Sequence, residues 1–193
     1  IKAVAAIMQH NNAGIVSKKE KEIVSPSMLE GKTYASYNGP MELAMLKYIV
    51  QKDLGDYNKI NIVPSTVTDV VSALNTNIDA MLIYYNYEGI MAKINGLDIN
   101  FIAFKDIDDN LDYYAPVIIS NDDFLENNPS LAKDFVSALK KGYEYAAQNP
   151  KESANILIKQ INSLNKDFII ESQKYTSLEY IKDASMWGVI DKD

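Results

Sequence analysis

Residues 84–89 read Tyr84-Tyr85-Asn86-Tyr87-Glu88-Gly89, so three phenols, an amide, a carboxylate and a glycine follow directly on the apolar run 80–83. Phenol rings offer flat faces for stacking and a hydroxyl to position, and Glu88 can accept hydrogen bonds from an amino group or share a proton with a ring nitrogen. That combination suits recognition of a flat, polar small molecule. It also suits a buried tyrosine cluster at a sheet edge followed by a solvated glutamate, because aromatics are common strand residues. A second cluster, residues 34–40, repeats the pattern with Tyr37 and Asn38 ahead of Gly39-Pro40. A third polar stretch, Gln9-His10-Asn11, interrupts an otherwise apolar start.

Hydrophobic patterning shows which elements must position these clusters. Residues 1–8 read as a short buried strand that continues through the polar residues to 16. Residues 33–37, 61–63, 80–84 and 99–104 read as strands, and the segments between them as helices. Pro40 opens a helix to about residue 53, Thr66 caps one running to 76, and 88–94 is the third. Such alternation predicts a mostly parallel four-stranded sheet covered on both faces, an α/β fold. In open sheets of this type ligands sit beyond the carboxyl ends of the strands, where Tyr37, Asn38, Tyr84, Tyr85, Tyr87 and Glu88 all fall.

After an acidic loop, residues 113–120 are extended and the remainder is helical. Leu131, Phe135, Ala138, Leu139, Tyr143 and Ala146 form one apolar stripe, and Ala154, Leu157, Ile158 and Ile161 form another. Two strands, 1–16 and 113–120, are too few to cover these helices. The expected organisation is therefore an intact lobe over 17–112 and an incomplete lobe made of 1–16 and 113–193. A missing segment, an oligomer or a swapped partner would complete the second. The two crossings between lobes are expected to act as a hinge, lined by Gln9, His10 and Asn11.

Composition removes several function classes. The 193 residues carry a net charge of −7, and all 19 basic residues are Lys. Nucleic acid is excluded as a partner by the lack of a basic surface. With no Arg there is no planar fork to hold a carboxylate or phosphate bidentately. There is no Cys, and His10 is the sole histidine, so thiolate chemistry, a catalytic triad and a multi-histidine metal site are all ruled out within these residues. No glycine-rich phosphate loop is present, and no cofactor is expected. Residues 106–112 open like a calcium loop, but Leu111 stands where the glycine is needed and Val117 where the terminal glutamate belongs. A solvated acidic turn is the expectation there. Trp187 reads as a core anchor or as a cleft wall. No run approaches a membrane span, and no signal-peptide pattern opens the sequence, which starts at Ile1 and reads as processed or truncated.

Taken in order, these pieces resemble the substrate-binding proteins of ABC importers related to thiamine-pyrimidine synthases. The resemblance rests on residues 5–11 with Gly14-Ile15, on 29–34, and on the turn through Gly39-Pro40 with Glu42. It continues through 74–85, Tyr87-Glu88-Gly89-Ile90, 112–118, 142–146, Asn149-Pro150 and Trp187-Gly188. Tyr37, Tyr87 and Leu82 stand where many members carry tryptophan. The resemblance implies a type 2 periplasmic-binding-protein-like fold of two lobes with parallel-type sheets, the first lacking its N-terminal part. It also implies an extracytoplasmic protein, free in the periplasm or lipid-anchored, that binds a hydroxymethyl or formylamino aminopyrimidine between its lobes and docks on a membrane permease. The implied ligand contacts are Glu88, Tyr87, Tyr85, Tyr84, Tyr37, Asn38, Gln9, His10 and Asn11. Two other roles belong to the same fold family, a pyrimidine synthase and a sensory domain. The synthases use a cysteine-rich iron motif that this sequence lacks.

Overall fold

A computed structural model describes residues 1–65, 69–161, 163–182 and 185–191. In chain order the first elements are β1 (Lys2–Ala6), β2 (Ala13–Lys18), β3 (Thr33–Ser36), α1 (Pro40–Lys52), β4 (Asn61–Pro64), α2 (Val70–Leu74), β5 (Ala80–Tyr84), α3 (Ile90–Ile94) and β6 (Ile99–Ala103). There follow β7 (Val117–Ser120), α4 (Asp122–Asn127), α5 (Pro129–Gln148), α6 (Pro150–Gln160) and α7 (Lys166–Glu179). The chain divides into a continuous unit, Asn12–Asp109, and a split unit, Ile1–Asn11 with Asn110–Asp193.

The continuous unit carries a five-stranded sheet in the order β4-β3-β5-β2-β6. Strand β3 pairs in parallel with β4 and β5, as the strand–helix alternation predicts. Strand β2, however, inserts antiparallel between β5 and β6, so the sheet is mixed and has one strand more than expected. The boundary anticipated at 16/17 thus falls inside β2, whose ladder with both neighbours ties it to this unit. Local periodicity is blind to such an insertion, because β2 arrives from an earlier part of the sequence than the repeat it joins. Its own residues announce a central strand, since Ala13, Gly14, Ile15, Val16 and Ser17 are all buried. At Gly14 a side chain is excluded: a Cβ would lie 2.4 Å from the Ile102 carbonyl oxygen and 2.6 Å from the Phe101 ring.

Side chains alternate across this sheet. Val16, Ala35, Met81 and Ile83 pack with Val70, Ala73 and Leu74 of α2 and Ala92 of α3. On β3, Tyr34 and Ser36 point the other way and meet Glu42 of α1. Helix α1 opens at Pro40, whose fixed φ and missing N–H suit a first helical position. The expected cap Thr66 lies outside the described residues; Asp69 caps α2, accepting from the amides of Val71 and Ser72. The acidic loop is solvated at Asp106, Asp109 and Asn110, as its composition suggests, but not at Asp108. The Asp108 side chain is only 7% exposed and receives both Lys52 and the Tyr48 hydroxyl. Among the described residues no group of three His, Cys, Asp or Glu could hold a metal ion.

In the split unit, β1 pairs antiparallel with β7, from Lys2 opposite Ser120 to Ala6 opposite Val117. Trp187 is the anchor of this core. Its indole stacks on Tyr143 at 4.5 Å and its Nε1–H donates to the Ile7 carbonyl at 3.1 Å. Around it lie Ala5, Met8, Tyr180, Val136 and Leu139. The apolar stripe of α5 is therefore covered only along its C-terminal half. Leu131 and Phe135, 57% and 55% exposed, line an open apolar groove of about 330 Å³ with Phe124, Ile118 and Ile119. No helix of the described residues is long and apolar enough to cross a membrane.

Candidate functional site

Strand β5 ends in a single π-helical turn, Tyr85–Gly89, rather than in the ordinary helix start expected at Glu88. The Ile90 amide donates back to the Tyr85 carbonyl, the wide bond that defines such a turn and that often marks functional positions. The Tyr85 amide donates to the Asn12 carbonyl at 3.0 Å, which pins the turn to the start of β2. The Tyr85 ring lies 5.0 Å from that of Phe101 and so close over Gly89 that a Cβ there would be 2.6 Å from it. Tyr85 is thus a packing residue, its ring tilted against that of Phe101 in space that Gly14 and Gly89 leave open. The turn leaves Tyr84 and Tyr87 about half exposed and turns the Glu88 carboxylate back, where it accepts from the Tyr84 amide at 3.0 Å.

Strand β3 ends in a tight turn. Asn38 adopts a left-handed conformation, φ 58°, and its amide donates to the Ser36 hydroxyl at 2.9 Å. Asparagine is among the few residues that enter this region at low cost. Glu42, third in α1, folds back over the turn and accepts from the Tyr37 amide at 3.0 Å. The Tyr37 ring is 48% exposed. Burial, with Glu88, Glu42 and Tyr84 nearby, holds its hydroxyl above the usual phenol range, so it stays protonated.

Tyr37, Tyr87 and Glu88 line one pocket of about 420 Å³ together with Asp69, Val70 and Met91. Its chemistry is consistent: two rings to stack on, an apolar floor of Val70 and Met91, a carboxylate oriented by a backbone amide, and no cation among these lining residues. Bonds from Ser72 hold the second carboxyl, Asp69, below the usual carboxylate range. A flat molecule that donates hydrogen bonds, neutral or cationic, matches this lining, whereas an anion would meet two carboxylates.

Of the residues singled out from sequence, Tyr37, Tyr87 and Glu88 come together in the pocket. Tyr84 adjoins it through its amide, Asn38 shapes the turn beneath Tyr37, and Tyr85 packs inward. Gln9, His10 and Asn11 belong to the split unit. The Gln9 amide group donates to the Val189 carbonyl at 3.3 Å, and His10 Nδ1 meets the Asp112 carboxylate at 2.6 Å. Fully buried Asn11 donates its backbone N–H to Asp112 and its side-chain amide to the Leu111 carbonyl. The sequence pattern does not single out Asp69, Val70 and Met91, which also line the pocket. Asp69 follows the end of β4, so the strand-end rule applied to β4 as well would have found it.

A family model described as NMT1/THI5 like matches residues 1–153. The formylaminopyrimidine-binding protein of Halalkalibacterium halodurans is 27% identical over 174 residues, 89% of this chain and 52% of that protein. The chain therefore spans about half the length of this relative. Among solved structures, the periplasmic aliphatic sulphonate-binding protein SsuA of Escherichia coli superposes with a TM-score of 0.70 at 15% identity, over 88% of this chain and 57% of that one. The desulfurization enzyme DszB superposes with a TM-score of 0.64 at 9% identity, over 98% and 67%. The fold is thus that of the SsuA-type, type 2 periplasmic binding proteins, and an enzyme shares it.

Proposed function

Because the chain belongs to the NMT1/THI5-like family, we propose that it is the solute-binding component of an ABC importer, working outside the cytoplasm, with an aminopyrimidine as its ligand. The ligand class is that of the thiamine-precursor pyrimidines, carrying a hydroxymethyl or formylamino group. The pocket of the continuous unit supports this reading. Glu88 takes the ring amino group, Tyr37 and Tyr87 stack on the ring faces, and Val70 and Met91 receive its apolar edge. One observation carries the proposal: a carboxylate held by the Tyr84 amide at 3.0 Å stands in a pocket that Tyr37 and Tyr87 also line. The relative's name adds a pyrimidine to that geometry. Since the same fold serves binding proteins and an enzyme, architecture does not choose between them. Binding without chemistry is favoured by the relative's name. The loaded protein would then deliver its ligand to a membrane permease.

Calorimetry with formylaminopyrimidine, hydroxymethylpyrimidine, thiamine, riboflavin and taurine in parallel tests the ligand. The expected result is tight binding of a pyrimidine and none of taurine, whose sulfonate would face Glu88 and Asp69. Tight binding of taurine or riboflavin without response to either pyrimidine would overturn the ligand and leave transport standing.

A further inference from the structure

We infer that Glu42 is a positioning residue of the ligand site, holding the β3–α1 turn so that the Tyr37 ring stands at the pocket. The inference rests on reading that pocket as the ligand site. Glu42 is 9% exposed and its carboxylate accepts three hydrogen bonds, all from the end of β3. The Tyr34 hydroxyl donates at 3.1 Å, the Ser36 hydroxyl at 2.9 Å and the Tyr37 amide at 3.0 Å. Ser36 relays the grip one residue further, because its oxygen also accepts from the Asn38 amide. Every residue from 36 to 38 is thereby bonded, directly or through Ser36, to one carboxylate.

A glutamate at the third position of a helix ordinarily sits at the surface and caps its own first turn. Burying it is unfavourable unless its oxygens are bonded. Here the donors are neutral groups of a neighbouring strand, and no lysine pairs with it among the described residues. The arrangement fixes the backbone that carries a pocket residue, and it leaves the charge uncompensated. That charge acts on the nearest hydroxyls: burial first and Glu42 next push the Tyr34 hydroxyl well above the usual phenol range. Tyr37 is held up by burial, Glu88, Glu42 and Tyr84. Glu42 thus sets where the Tyr37 backbone, and with it the ring, stands.

The test compares formylaminopyrimidine binding, by calorimetry, in the wild type, Glu42→Gln, Tyr37→Ala and the double variant. In Glu42→Gln an NH2 replaces one acceptor and meets the donors, so affinity is expected to fall about tenfold. The double variant should bind no more weakly than Tyr37→Ala, because Glu42 acts through Tyr37. Wild-type affinity in Glu42→Gln, or losses that add, would overturn the inference. Ser36→Ala removes one donor and should show a smaller loss in a protein that folds even if Glu42→Gln does not. A ligand-free arm uses amide NMR: the signals of Tyr37 and Asn38, whose N–H groups donate to Glu42 and to Ser36, should shift in Glu42→Gln because the carboxylate that holds the turn is gone. Unmoved Tyr37 and Asn38 signals would overturn the inference whether or not any pyrimidine binds. Failure of wild-type protein to bind pyrimidine would instead overturn the ligand.

Discussion

Glu88 is half-buried and bonded by one backbone amide, so the protein orients its charge without neutralising it. A ligand amino group placed against it gains a charge-assisted hydrogen bond, worth about 1.5–3 kcal/mol. Glu88→Gln is therefore expected to weaken pyrimidine binding roughly 10- to 150-fold with little effect on thermal unfolding, as calorimetry and a melting curve would show. Tyr87→Ala removes a half-exposed ring that lines the pocket. It should cost about 1 kcal/mol of affinity, close to fivefold. That Tyr87 and Glu88 stand at a pocket was legible because they follow the carboxyl end of a strand, where clefts of such sheets open. Tyr85 sits in the same cluster and packs inward, because its partner Phe101 is brought to it by the β2–β6 pairing, which local sequence does not encode. Asp69 is hidden in the sequence because a helix read as starting at Thr66 places it inside the first turn, whereas it caps a helix that starts at Val70.

At the scale of elements, the site depends on β2. The Tyr85–Phe101 ring pair crosses this strand at Gly14 and closes over Gly89, so both glycines are required by close approach rather than by backbone angle. Gly14→Ala would drive a methyl to 2.4 Å from the Ile102 carbonyl oxygen. A loss of about 1–3 kcal/mol in urea unfolding is expected, together with weaker ligand binding as the π-turn shifts. A second tie closes the opposite end of α1. Asp53 accepts from the Ser27 amide at 2.7 Å, and hydrogen bonds from Ser27 hold its carboxyl below the usual range. Because the folded-state pKa is depressed, the stabilisation is complete above the unfolded value of about 3.9 and is lost as pH falls through the folded one. Asp53→Asn should thus cost about 1 kcal/mol at pH 7, and the gap to wild type should narrow as acid unfolding is followed below pH 4. The helices and parallel strand pairs were readable from period and caps. The mixed order of the sheet was not, since it depends on a strand that precedes the repeat.

At the scale of the whole molecule, the two units are finished to different degrees. The continuous unit buries both faces of its central strands β2, β3 and β5. The split unit packs four helices against two strands, and the apolar groove along Phe124, Leu131 and Phe135 stays open. The sequence foretold this imbalance, because amphipathic stripes of that length need more sheet than two strands provide. An exposed apolar patch of this kind calls for a cover. The 193-residue chain alone should bind an environment-sensitive dye such as ANS, and Leu131→Ser with Phe135→Ser should abolish most of that signal without lowering the melting temperature. An unchanged signal would place the dye elsewhere.

With the pocket beside the π-turn as the ligand site and Glu88 as its anchor, amide NMR during titration with formylaminopyrimidine is the most direct probe, because the Tyr84 N–H donates to the Glu88 carboxylate and reports any change there. The signals of Tyr84, Glu88, Gly89 and Tyr37 should shift together and saturate at the calorimetric affinity, and the shifts should vanish in Glu88→Gln. Saturable binding that leaves Tyr84 and Gly89 unmoved would contradict this assignment.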